Sequence, residues 1–146
     1  MDTSKQEPRK RTITLTGRPP VRITESEWPI LGRSYEAVDS CNGTPLPDYQ
    51  RVRWTLTVRR HADGRAIVYG VASPPENGWP THGCVDWKGG VYLGDGDPMT
   101  GAGRGEVSMT DILNAVQRVG TDLIGMGGAP ERIVRECIAD LPPEEV

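Results

Sequence analysis

The sequence predicts an α+β fold: a small antiparallel sheet built from hairpins, packed by two C-terminal helices. Three observations predict it. Residues 51–60 alternate strictly, with Val52, Trp54, Leu56 and Val58 on one face and Arg51, Arg53, Thr55, Thr57 and Arg59 on the other. A period of two marks a strand with one buried face and one solvated face. After residue 108 the apolar positions change to a helical period, with Ile112, Val116, Val119 and Leu123 recurring every three or four residues. The strand-like segments all precede the helical ones, which separates α+β from a βαβ alternation.

Each element has its own signal. Residues 1–11 are polar and basic and read as a disordered tail. Thr12–Thr16 and Val21–Ile23 alternate on either side of Gly17-Arg18-Pro19-Pro20, a hairpin in which Pro20 withholds one ladder donor. Thr24-Glu25-Ser26-Glu27 places a hydroxyl three positions before a glutamate, the form of a capping box. With Trp28, Ile30 and Leu31 following and Gly32 as a stop, it predicts one or two helical turns pinned to the sheet. Arg33–Val38 reads as a brief strand, and 39–50 as a loop.

The 51–60 strand turns at His61-Ala62-Asp63-Gly64, where Gly64 suits a positive φ. It returns as Arg65–Ala72, with Ile67, Tyr69 and Val71 on one face. A Pro- and Gly-rich loop occupies 73–83. Cys84–Leu93 is strand-like around Gly89-Gly90, a pair that predicts a bulge or a break into two short strands. The Gly-rich 94–105 segment reads as a third long loop. Ser108 or Thr110 caps the first helix, which runs to about Ile124 and is ended by Gly125–Gly128. Pro130 opens the second, whose buried face is Ile133, Val134, Cys137, Ile138 and Leu141. Pro142-Pro143 ends it, and 142–146 read as a frayed tail. Residues 12–141 are expected to form one domain.

The 146 residues include 18 Gly and 13 Pro and no Phe. The low share of large aliphatics fits a modest core diluted by loops. No run of 18 apolar residues exists, so no helical membrane span is expected. The N-terminus lacks the apolar stretch of a secretory signal. Cys41, Cys84 and Cys137 are odd in number and widely spaced, so no disulfide framework is expected. Together these predict a cytoplasmic location, with Cys137 in the core and Cys41 and Cys84 in or near loops. Charge divides unevenly: residues 1–65 hold 12 Lys/Arg and 8 Asp/Glu, and 66–146 hold 5 and 12. Such a division either steers a charged partner or lets the two halves pair with each other.

No catalytic or metal-binding constellation stands out. Gly101–Gly105 precedes a helix but lacks the Gly-Lys-Ser/Thr ending of a phosphate loop and the spacing of a dinucleotide fingerprint. Asp95 and Asp97 offer too few ligands for a calcium loop. His82, Cys84 and Asp86 lack zinc spacing. No cofactor is expected, and a thiol or metal-dependent enzyme using Cys84 and His82 is the remaining catalytic alternative. The stronger feature is arginine. Arg51, Arg53 and Arg59 share the polar face of the best strand, with Arg60 and Arg65 near its turn. Guanidinium forks on an exposed face suit phosphates or carboxylates. A nucleic-acid-binding sheet also offers aromatics for stacking, and Trp54 lies on the opposite face. Trp79, in a loop beside Pro80, is a further partner-binding candidate.

Three segments, ITLTGRPPVRITESEWPIL at 13–31, VRRHADGRAIVYG at 58–70 and ERIVRECIADLPPEE at 131–145, resemble a family of short, uncharacterised accessory proteins of proteobacterial plasmids and integrative mobile elements. The resemblance covers about a third of the chain and rests on strand and helix patterns. It implies a mobile-element setting, where small proteins act by binding host machinery, as anti-CRISPR and antirestriction proteins do. With the missing catalytic constellation, the charge asymmetry and the Arg-lined strand, this predicts a small non-enzymatic interaction protein that binds a host protein or protein complex. A nucleic-acid-associated regulator using the Arg-lined strand is the alternative.

Overall fold

The computed structural model describes residues 7–37, 40–41, 44–45, 53–73, 87–97, 99–127 and 129–143. The fold is α+β, with two C-terminal helices packed on antiparallel sheet. Its strands are β1 (Lys10–Leu15), β2 (Arg18–Thr24), β3 (Ile30–Ala37), β4 (Ser40–Cys41), β5 (Thr44–Pro45), β6 (Arg53–Arg60), β7 (Ala66–Ser73) and β8 (Trp87–Leu93). The helices are α1 (Met109–Gly127) and α2 (Arg132–Asp140). The main sheet has the order β3-β6-β7-β8, all antiparallel, while β1-β2 and β4-β5 form separate two-stranded ladders.

Local chemistry accounts for most boundaries. Gly17 and Gly64 take φ of 72° and 97° in the turns of the two hairpins, a region costly for other residues. The capping-box segment forms a single 3-10 turn, Glu25–Glu27, with no side-chain cap bond. Pro29 and the start of β3 follow too closely for a longer helix. Ser108 Oγ accepts the Asp111 N–H at 3.1 Å and caps α1. The helix runs past Gly125 to Gly127, so those glycines do not stop it at once. In α2, Ile133, Val134 and Cys137 are buried.

The main core lies between the sheet and the helices. Trp54, Leu56, Val58, Val68 and Ala72 meet Ile112, Val116, Val119, Leu123, Ile133 and Cys137, all nearly without solvent contact. Each such aliphatic side chain contributes about 1.5–3 kcal/mol on burial. Glycine sets how closely the layers approach. A Cβ at Gly120 would lie 2.3 Å from Val134 Cγ2, so α1 and α2 are in near contact there.

A second, smaller core lies on the other face of the sheet. Ile13, Leu15 and Ile23 of the β1-β2 hairpin, with Trp28, cover Ile67 and Tyr69. The polar face of β6 was expected in solvent. The hairpin and Trp28 instead bury its end, leaving Thr57 2% and Arg59 6% exposed. The alternation of Ile13 and Leu15 requires a partner surface, and Ile67 and Tyr69 supply it. The helices therefore pack one face of the sheet, and the hairpin covers part of the other.

Gly89-Gly90 differs from the sequence expectation as well. The β7-β8 register runs unbroken from Ala66↔Leu93 to Ala72↔Trp87, with no bulge. The glycines permit close approach instead. The Thr16 N–H donates to Gly90 O at 2.9 Å, and the Gly90 N–H donates to Thr16 Oγ1 at 3.2 Å. A Cβ at Gly90 would lie 2.8 Å from both Tyr69 Cβ and Val68 O.

Candidate functional site

The strand registers define what the partly covered face carries. In an antiparallel ladder, directly opposed residues point to the same side. Ala37, Arg53 and Ser73 form one row; Tyr35, Thr55, Val71 and Lys88 form the next; Arg33, Thr57, Tyr69 and Gly90 the third; Arg59, Ile67 and Tyr92 the fourth. The hairpin covers the fourth row and crosses the third at Gly90. Beyond it Val71 still packs against the hairpin core and Thr55 and Ser73 are half-buried, while the charged and aromatic members of the first two rows and Arg33 stay accessible. Arg33, Arg53 and Lys88 are exposed, and Tyr35 is 50% exposed. Among the described residues, none of these three cations has a side-chain ion pair.

Where open face and hairpin meet, a groove of about 190 Å³ is lined by Arg11, Ile30, Arg33, Thr55, Thr57, Arg59, Tyr69 and Val71. Arg59 lies at its base. Its Nε donates to Tyr69 Oη at 2.9 Å and its Nη1 to Trp28 O at 3.0 Å, both neutral acceptors. Arg11 pairs with Glu25 at 2.7 Å. That hydrogen bond, aided by the charges of Arg11, Arg59 and Arg9, holds the Glu25 carboxyl below its ordinary range against some desolvation.

The candidate arginines of the sequence therefore separate. Arg53 stands on the open face. Arg59 is a buried tie between Trp28 and Tyr69. Arg60 donates to Val107 O and lies 3.7 Å from Glu106, fastening the turn to the segment before α1. Arg65 bonds Asp63 at 2.8 Å and Tyr92 Oη at 2.6 Å, and its guanidinium lies 5.0 Å from the Trp28 ring centroid. Burial pulls the Asp63 carboxyl upward, but the N–H and guanidinium of Arg65, with His61, outweigh it and hold Asp63 below its ordinary value. Arg60 and Arg65 thus belong to the turn, at the far end from Arg53. Arg51, Trp79, His82, Cys84 and Asp86 lie outside the described residues. Cys137 is buried, and desolvation followed by the Asp140 charge pushes its thiol up to about 12.

Arg33, Tyr35 and Lys88 complete the open face and were not singled out by sequence reasoning. Arg33 and Tyr35 sit two apart in a strand-like run, a period-two signal that was available. Which face they share with Arg53 depends on the β3-β6 register. Lys88 gave no signal beyond its place beside Gly89-Gly90.

The 94–105 segment is a compact set of turns. Gly94, Gly96, Gly101 and Gly103 all take positive φ, and the Asp97 N–H donates to Ala102 O at 2.7 Å. Asp97 Oδ1 accepts the Met99 N–H at 2.7 Å, which occupies that carboxylate within its own turn. Among the described residues, no three His, Cys, Asp or Glu side chains converge as metal ligands, and no helix is long and apolar enough to cross a membrane. No protein-family model matches the chain, and no curated protein or solved structure matches it.

Proposed function

We propose that the protein is a non-enzymatic binding module that takes single-stranded nucleic acid on the open half of its sheet. The observation that carries this is the row arrangement: Tyr35 stands exposed among Arg33, Arg53 and Lys88, and no described carboxylate shares those rows. Cations track a phosphate backbone, and an exposed ring stacks a base, the pairing that sequence-tolerant single-strand binders use. The net charge of −3 opposes bulk attraction to nucleic acid, so the local rows of cations carry the reading. On the helical layer, Asp111, Asp122, Glu136 and Asp140 stand with Arg118, Arg132 and Arg135, so α1 and α2 are close to neutral while the open rows carry cations alone.

An acidic host protein drawn to the same exposed cations is the alternative partner. It would use the same cations and gain less from Tyr35. Fluorescence anisotropy with labelled single-stranded and duplex oligonucleotides of mixed sequence separates the readings. Single strands are expected to bind preferentially. Tyr35→Ala is expected to weaken them by about 5- to 150-fold, the effect of losing roughly 1–3 kcal/mol of stacking. The double change R53E/K88E is expected to abolish binding while the folded spectrum is kept. No binding at low salt overturns the nucleic-acid reading.

A further inference from the structure

The groove at the edge of the open face has a chemistry distinct from the face itself. Arg59 is 6% exposed, yet its two hydrogen bonds go to a phenol and a backbone carbonyl. A buried guanidinium has five donors, and a buried charge is costly unless it is paired. Arg11 and Arg33 line the same groove, as does Thr57. Among the described residues, Glu25 is the one carboxylate bonded to a guanidinium of the three, and Arg11 takes it, while Asp140 Oδ2 accepts the Arg33 backbone N–H at 2.9 Å. Three guanidiniums against one carboxylate leave the groove short of negative charge.

We infer that this groove is a subsite for a terminal phosphate group, held by Arg11, Arg33 and Arg59 with Thr57. The fork of Arg33, the Nη groups of Arg11 and the remaining Nη2 of Arg59 converge with a hydroxyl, more donors than the two oxygens of a carboxylate need and enough for the three terminal oxygens of a phosphomonoester. Position points to a chain end. The β1-β2 hairpin and Trp28 close the face at the row of Arg59, so a strand lying along Tyr35 and Arg53 meets a wall there. An internal phosphodiester needs room for nucleotides on both sides, whereas a terminal phosphate needs it on one. The inference rests on the proposed single-strand reading for the source of the phosphate, and on groove chemistry alone for the oxyanion.

The test compares oligonucleotides of one sequence ending in hydroxyls, a 5′-phosphate or a 3′-phosphate, titrated into the full chain at fixed salt. One phosphorylated end is expected to bind at least about tenfold tighter than the hydroxyl-ended strand. Arg11→Ala, on the hairpin and away from the open rows, is expected to remove that preference and leave hydroxyl-ended binding unchanged. A second arm uses inorganic phosphate against chloride at equal ionic strength. Thermal stability is expected to rise in phosphate for the wild-type chain and not for Arg11→Ala. Equal affinity for all three ends, with binding retained, overturns the terminal-phosphate subsite and leaves the open-face reading standing. If no oligonucleotide binds, the open-face reading fails. The groove then stands as an oxyanion site on the phosphate arm alone, and the absence of stabilisation overturns it too.

Discussion

Arg59 joins the second core to the proposed groove, and Arg59→Met tests that placement with a calculable effect. Methionine fills much of the same volume, so the change removes hydrogen bonds without opening a large cavity. Two bonds to a charged donor are lost, at 2.9 Å to Tyr69 Oη and 3.0 Å to Trp28 O. Bonds of that kind contribute about 1.5–3 kcal/mol each, and removal of the desolvated charge offsets part of the loss. A net loss of about 3 kcal/mol is expected. For a chain of this size that lowers Tm by about 6–12 °C. The assay is urea and thermal unfolding of four proteins: wild type, Arg59→Met, Tyr69→Phe and the double variant. Tyr69→Phe alone is expected to cost about 2 kcal/mol, because it leaves the buried Nε without its acceptor. In the Arg59→Met background it is expected to cost almost nothing, giving a coupling energy of about 1.5–2 kcal/mol. If Arg59→Met is as stable as wild type and the coupling is zero, Arg59 is not a structural tie. The account of how the polar face of β6 is buried would then be wrong.

Gly90→Val forces side-chain atoms into space already held by Tyr69 Cβ and Val68 O, and its Cβ alone would lie 3.1 Å from Thr14 O of the hairpin. It should detach the β1-β2 hairpin, seen as loss of amide protection in Ile13 and Leu15 before the helices lose theirs. Leu123→Ala, at a fully buried position in the main core, should cost about 2–5 kcal/mol by urea unfolding. The Cys137 thiol should resist iodoacetamide at pH 8 in the native protein and react once unfolded, as read by peptide mass spectrometry. Its folded value of about 12 lies above the ordinary 9.0. The contribution of the protonated thiol to stability is therefore complete below pH 9 and is lost as pH rises toward 12.

Most of the fold was legible because its elements have one-dimensional signatures. The Ile112–Leu123 stripe, the Trp54–Val58 alternation and the turn at Gly64 each depend on neighbours within a few residues. What sequence could not resolve depends on residues far apart. Thr57 and Arg59 look solvated because their own strand is polar there, and the surface that buries them arrives from residues 13–28. Gly89-Gly90 looks like a bulge because a close crossing by Thr14 and Thr16 leaves no local trace. The candidate site was half legible for the same reason. Arg53 was named from its strand, while Arg33, Tyr35 and Lys88 join it only through the β3-β6-β7-β8 register.

The central claim is that the open half-face binds a phosphate backbone through Arg33, Arg53 and Lys88. Its most direct measurement is the salt dependence of single-strand affinity. Three phosphates neutralised predict a slope of log K against log salt of about −2. The R53E/K88E change is expected to remove binding across that range. A slope near zero, or a slope and affinity unchanged by R53E/K88E, would contradict the claim.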